Sequence, residues 1–338
     1  MICVGFDTSN YTSSVAAFDG ERGENASRLL PVRAGELGLR QSEALFSHIK
    51  RLPELSDRLF AHIDPAEIRA VGVSTRPRAV EGSYMPCFLA GECQAKVLAA
   101  ALHLPVYEFS HQQGHIAAVL WSAGRLDLLG SDFLAWHLSG GTTELLYVRS
   151  SASGDLDCTR IGGSTDISAG QLIDRTGQLL GLDFPSGRAL DRLAAQLAED
   201  RQQATGNRQQ GTGDAEQPAE NTGDALRLPR TDWFRVKVNG CEFSLSGVQN
   251  QVQAYREKGA TGPETAYFAL RSVVEAVKKA TKNAQKDRPL PVVFSGGVAS
   301  NSLLRRLMPE AVYGEPRYST DNAIGIAVLT WLRFRTTP

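Results

Sequence analysis

Apolar residues run from Ile2 to Phe6, polar ones fill Asp7 to Thr12, and a second apolar run covers Val15 to Phe18. A short polar break between two such runs predicts a pair of strands joined by a turn. The same grammar returns at 133–148, where FLAWHL is followed by Ser139, Gly140, Gly141, Thr142 and Thr143 and then by ELLYV. Two strand-turn-strand units about half a chain apart predict a duplicated domain.

Between the two units, QSEALFSHIKRLPELSDRLF carries apolar residues at helical spacing, AVGVST is strand-like, and AGECQAKVLAAALH is built of strong helix formers. This alternation predicts a mixed sheet covered by helices, an α/β fold. Further helices are expected at about 168–181, 188–199 and 264–285, from Ser300 to Leu307 after the strand PVVFSGG, and from near Ser319 to the end. Residues 201–225 are rich in Gln, Gly, Thr, Asp and Ala and nearly free of large apolar side chains, which predicts a mobile surface insertion. A length of 338 residues suits two domains. The division expected is 1–105 plus 320–338 as a first lobe and 106–319 as a second.

Composition narrows the function classes. With 36 basic and 37 acidic residues the formal charge is -1, so any contact with RNA or an anionic surface has to be local. Cys3, Cys87, Cys93, Cys158 and Cys241 are odd in number and contain no C-x-x-C, which argues against a disulfide framework or a zinc knuckle. The opening MICVGFDTS lacks a basic n-region, and no apolar run reaches the length of a membrane span. A cytoplasmic protein without membrane contact is expected.

Ser110 precedes His111 and His115, and if Ser110 caps a helix the two imidazoles share one face and can grip one cation. Two histidines on a half-exposed helix are the plainer alternative. Gln112 stands where a zinc-protease helix needs its glutamate base, so hydrolysis of that kind is disfavoured. Asp321, in a Ser-Thr-Asp-Asn cluster before the last helix, can be a third ligand or simply a helix cap.

Three small-residue turns can offer free backbone amides to phosphates: Asp7-Thr8-Ser9, Ser139 to Thr143, and the segment from Ser295 through Gly296 and Gly297 to Asn301. The third combines its glycines with a following helix and its dipole. Asp174, Asp183 and Asp191 could accept hydrogen bonds from ribose hydroxyls. The basic runs Arg76 to Arg78, Lys278 to Lys286 and Arg305-Arg306 read as solvated faces, with contact to the phosphates of a large partner as the alternative.

Taken in order, GFDTS, HQQGH, LSGGTTEL, IDRTGQLLGLDFPSG, FSLSG, FSGGVASN and STDNAIGIA resemble the motif series of the TsaD family. Its members act in tRNA threonylcarbamoyladenosine synthesis and were formerly labelled glycoproteases. The resemblance implies an actin, Hsp70 and sugar-kinase (ASKHA) fold with two duplicated lobes around a nucleotide cleft. It implies one divalent metal, Fe or Zn with Mg as a further candidate, held by His111, His115 and Asp321. It places ATP or an adenylate against His137, Leu138, Ser139, Gly140, Gly141, Asp174, Gly187, Asp191 and Asn301, beside the Gly296-Gly297 turn. The implied activity is an acyltransferase that moves a threonylcarbamoyl group from its adenylate to N6 of adenosine in tRNA, or a related carbamoyl-type transfer. The partners implied are adenine nucleotide, tRNA, and TsaB-like and TsaE-like proteins or a second copy.

The chain departs from the family's pattern along one edge. A first turn that usually reads E-T-S-C-D-E-T is here Asp7-Thr8-Ser9-Asn10-Tyr11-Thr12, without the two later acids. Thr142 replaces the histidine of S-G-G-H-T, Arg175 a lysine and Gln171 a glutamate, and Ser74 to Gly82 replaces a glycine-rich loop. These changes support a competing reading, a non-catalytic nucleotide-binding paralogue that serves as a partner or regulatory subunit.

Overall fold

The computed structural model describes residues 1–9, 11–31, 39–197 and 236–337. The expected insertion at 201–225 and Asn10 lie outside the described residues. The first apolar runs form β1 (Ile2–Asp7) and β2 (Thr12–Phe18), joined in one sheet by β3 (Gly23–Leu29), β4 (Ile68–Arg76) and β5 (Val106–Ser110). Their order is β3-β2-β1-β4-β5, with β1 antiparallel to β2 and parallel to β4. Val106–Ser110, assigned from sequence to the second lobe, pairs with β4 in this first sheet.

A second sheet contains β6 (Phe133–Leu138), β7 (Thr143–Ser150), β8 (Leu156–Ser164), β9 (Val238–Asn239), β10 (Glu242–Phe243), β11 (Val292–Ser295) and β12 (Val312–Tyr313). Its order, β12-β11-β6-β7-β8-β10-β9, repeats the first sheet's pattern strand for strand and adds a short hairpin at the β8 edge. The duplication read from two turns is therefore a duplication of whole sheets. Every residue of β6 is buried, and all of β1 after Ile2, as expected for central strands covered on both faces.

Two helices tie the lobes together. On the outer face of the first sheet, α1 (Gln41–Phe60) and α2 (Phe88–Leu102) set Leu52, Leu55, Leu59, Ala95 and Ala99 against Val4, Phe6, Val71 and Val73. The helix that leaves β5, α3 (His111–Ser122), packs instead on Phe133, Ala135 and Val148 of the second sheet. Behind that sheet lie α4 (Ala169–Leu179), α5 (187–197), α6 (Ser246–Glu257), α7 (Gly262–Ala284) and the short α8 (Ser302–Leu307). The last helix, α9 (Ile324–Thr336), returns to the first sheet, where Ile324, Ala327 and Val328 meet Ala16 and Phe18.

Both later helices start after the positions read from sequence. Pro316–Tyr318 forms a separate 3-10 turn before α9, and Gly297–Ser300 another before α8. In each case the side chain of an asparagine takes up an amide of the first turn: Asn322 accepts from Ile324 N, and Asn301 from Leu304 N.

The two connecting helices touch at glycines. A Cβ added at Gly325 would stand 1.8 Å from the carbonyl oxygen of Gly114 and 2.8 Å from Ala118 N. Backbone cannot yield as a flexible side chain does, so Gly325→Ala should separate α3 from α9. We expect a loss of stability on the order of 3 kcal/mol in denaturant unfolding, and unchanged stability would show that the helices slide apart freely.

Candidate functional site

Helix α3 begins at His111 because Ser110 closes a capping box: its Oγ accepts from Gln113 N, and Gln113 Oε1 accepts from Ser110 N at 2.7 Å. His111 and His115 then stand one turn apart on one face, ring centroids 4.3 Å apart. Asp321 arrives from the turn before α9 and places Oδ1 3.5 Å from His111 Nε2 and 3.3 Å from His115 Nε2. It does not cap the helix. The cap position is Ala323, whose amide is taken by Ser14 Oγ and Asn25 Oδ1. Ligand atoms of His111, His115 and Asp321 lie within 4.8 Å of one another.

Sequence reasoning put Asp7 in a phosphate turn. In the structure it is buried at the end of β1, and its Oδ2 sits 2.7 Å from His111 Nδ1. The carboxylate holds the imidazole so that Nε2 faces Asp321, the arrangement of an outer-shell acid behind a metal-binding histidine. An acid closing an otherwise apolar, buried strand was the available signal. The rest of that turn is occupied as well: Thr8 Oγ1 donates to Cys87 O and accepts from Gly91 N, pinning β1 to the start of α2.

Burial alone would lower the His111 imidazole, but the carboxylates of Asp7 and Asp321 raise it to about 10. Burial would likewise raise both acids, and the hydrogen bonds of His111 and His115 hold Asp321 well below the usual carboxylate range, while His111 and Ser9 N lower Asp7. Two imidazole nitrogens and one carboxylate oxygen, backed by a buried second carboxylate, form a donor set that suits Zn or Fe with positions left for other ligands.

The second lobe brings most of the predicted nucleotide residues to the ends of β6 and β11. The turn after β6 is closed by Thr142, whose N donates to Ser139 Oγ, with the two hydroxyls 2.8 Å apart. Helix α4 begins against it: Ser168 Oγ donates to Gly140 O at 2.6 Å, and a Cβ on Gly170 would stand 2.5 Å from Ser139 O. Gly296, at φ +89°, lies against Leu138 O, where a Cβ would come within 2.2 Å. Gly140, Gly141 and Gly297 have open space where a Cβ would be. His137 is buried between this turn and the ion cluster, its ring centroid 5.0 Å from that of His115.

The dipole of the helix after Gly297 is not free for a phosphate, contrary to the reading from sequence. Asn301 occupies Leu304 N, and Asp191 accepts from Ser302 N, Ser302 Oγ and Asn301 Nδ2. Asp191 and Asn301 are thus bound to each other at the start of α8. Asp174, which burial pushes up, accepts from Ser186 N next to Gly187, joining α4 to the start of α5.

A family model described as tRNA N6-adenosine threonylcarbamoyltransferase, TsaD, matches residues 38–328. The chain belongs to the TsaD family. Among solved structures, it resembles component A of the (R)-2-hydroxyglutaryl-CoA dehydratase of Acidaminococcus fermentans at 13% identity and a TM-score of 0.53, covering 99% of this chain and 100% of that one. The activator of 2-hydroxyisocaproyl-CoA dehydratase from Clostridium difficile, with bound ADPNP, matches at 13% identity and 0.50, over 99% and 96% of the two chains. Full-length HypF in its phosphate- and nucleotide-bound form matches at 15% and 0.55, over 99% of this chain and 46% of that one. Together with the repeated sheets, these likenesses show the ASKHA fold.

Where this TsaD-family chain departs from the family's pattern, the structure shows what the new residues do. Tyr11 is partly exposed and Thr12 is buried at the start of β2, and neither brings a carboxylate to the cluster. Gln112 Nε2 reaches Glu144 Oε2 at 3.4 Å instead of facing a water at the ion site. Arg78, read from sequence as a solvated residue, crosses from the first lobe to Glu144 of β7 with a two-pronged contact at 2.8 and 3.1 Å.

Two outcomes follow for metal binding. Because His111 carries a proton in the ion-free fold that a cation must displace, apparent affinity should rise roughly tenfold per pH unit above neutrality and level off near pH 10. A pH-independent affinity would remove His111 from the ligand set. Asp7→Asn should weaken binding roughly 10- to 100-fold in a chelator competition while the fold is kept.

Proposed function

We propose that this TsaD-family protein is a metal- and adenine-nucleotide-dependent transferase that moves a threonylcarbamoyl group from its adenylate to N6 of adenosine in tRNA. The observation that carries the reading is the convergence of His111, His115 and Asp321, from helix and distant turn, beside the glycine turns of the second lobe. In this reading, His111, His115 and Asp321 hold the ion, which when bound supplies a Lewis acid for carbonyl or phosphate oxygens. Amides of the Ser139–Gly141 and Gly296-Gly297 turns hold the phosphate of the leaving AMP, and Asp174 faces its ribose. The ADPNP and nucleotide in the two similar solved structures support a nucleotide in the corresponding cleft. TsaB-like and TsaE-like proteins, or a second copy, are its expected partners in the cytoplasm. Among the described residues no helix is long and apolar enough to cross a membrane.

A second reading, a nucleotide-holding subunit without transfer activity, is favoured by one observation: no acid replaces those missing at Tyr11 and Thr12. The turning of Gln112 toward Glu144 speaks against a metalloprotease. Expression in cells depleted of their own TsaD separates the first two readings. We expect threonylcarbamoyladenosine to return with the unmutated chain and not with His111→Ala, whose metal content should fall. A return with neither would favour the subunit reading, and full metal retention in His111→Ala would overturn the ligand assignment.

A further inference from the structure

The transfer reading requires a group that faces the incoming nucleophile, and the first turn offers no acid at Tyr11 or Thr12. The acceptor groups around the cleft can be taken in turn. Asp7 is occupied by His111 and Ser9 N, Asp321 by both cluster histidines, and Glu144 by Arg78 and Gln112. His137 is different. Its Nδ1 lies 3.1 Å from Ser295 Oγ, and Ser295 Oγ lies 3.0 Å from the carbonyl oxygen of Trp136.

Those two distances favour one tautomer. A carbonyl only accepts, so both contacts are hydrogen bonds only when the single hydroxyl proton of Ser295 goes to Trp136 O. Toward His137 the hydroxyl can then only accept, which requires the proton on Nδ1. The lone pair is left on Nε2. Among the described residues that atom has no hydrogen-bond partner, and it is not fully shielded from solvent.

We propose that His137 orients the acceptor substrate: its Nε2 accepts a hydrogen bond from the N–H of the attacking amine and turns the nitrogen lone pair toward the activated carbonyl. The role rests on the transfer reading above. It makes the chain selective for a nucleophile that carries a donor hydrogen beside its lone pair, as the exocyclic amine of adenosine does. Backbone amides in the adjoining turn serve the adenylate, so one short segment, His137 to Gly141, faces both substrates. The pairing of His137 with Glu144 across β6 and β7, with Glu144 tied by Arg78, fixes the strand that carries it.

The test uses the full chain as purified from cells with its metal and any co-purifying subunits, synthetic threonylcarbamoyl adenylate, and tRNA. We expect His137→Leu to lower kcat on the order of 100-fold with metal content unchanged. His137→Gln, which restores an acceptor oxygen, should recover about tenfold of that loss. Ser295→Ala should lower kcat in the same direction by freeing the tautomer, and it provides the test should the leucine variant fail to fold. Transfer by the unmutated chain with an equally active leucine variant overturns this role alone, as does loss of metal in step with activity. No transfer by the unmutated chain overturns the role together with the functional reading.

Discussion

The site exists because two helices can approach to backbone contact. Gly325 of α9 meets the backbone of Gly114 of α3 where it could carry no side chain, and His115 follows Gly114 while Asp321 lies four residues before Gly325. The same crossing extends to β1, where a Cβ on Gly5 would stand 2.5 Å from Ala327 N. Asp7 is two residues further along that strand. One packing constraint therefore sets the ligands and the outer carboxylate, which come from positions more than 300 residues apart in sequence, and it does so on rigid elements.

The electrostatics of that crossing call for a cation. Asp7 and Asp321 are two carboxylates in a buried setting, and His111 lies between them with one ring nitrogen facing each. Without an ion, a protonated His111 offsets part of their charge, which is why its value rises against the effect of burial. A divalent ion with His111 neutral balances both carboxylates in full. On charge alone, the cluster can be balanced by a proton or by a cation.

Parts of this were legible in sequence for clear physical reasons. Helical period puts residues four apart on one face, so the His111 and His115 pair could be read, and apolar runs interrupted by small polar turns gave away the duplicated strands. The contribution of Asp321 could not be derived from spacing, since an aspartate before an apolar helix caps it more often than not, and only the family's motif order pointed to it. Asp7 was misread because its partner is 104 residues away. The dipole at α8 was misread because a two-residue delay in the helix start let Asn301 and Asp191 take its amides. Arg78 looked like a solvated residue for the same reason: its acid, Glu144, is on the other lobe.

Two departures from the family's pattern bear directly on charge near the cluster, the loss of two acids after Ser9 and the arrival of Arg78. Where acids would be expected after Ser9, the chain now offers Tyr11 and Thr12, and where a glycine-rich loop would be expected it offers a guanidinium. Glu144 holds that guanidinium in a two-pronged bond and pairs with His137 across β6 and β7. Thr142 turns its hydroxyl inward to Ser139, so the phosphate turn keeps its shape without presenting an imidazole. The His111, His115 and Asp321 cluster and the glycine turns are kept, while two acids of the first turn give way to Tyr11 and Thr12. Beside the turn after β6 stands His137, its ring 5.0 Å from that of His115 and its Nδ1 against Ser295, which is the group that meets the amine in the proposed reading.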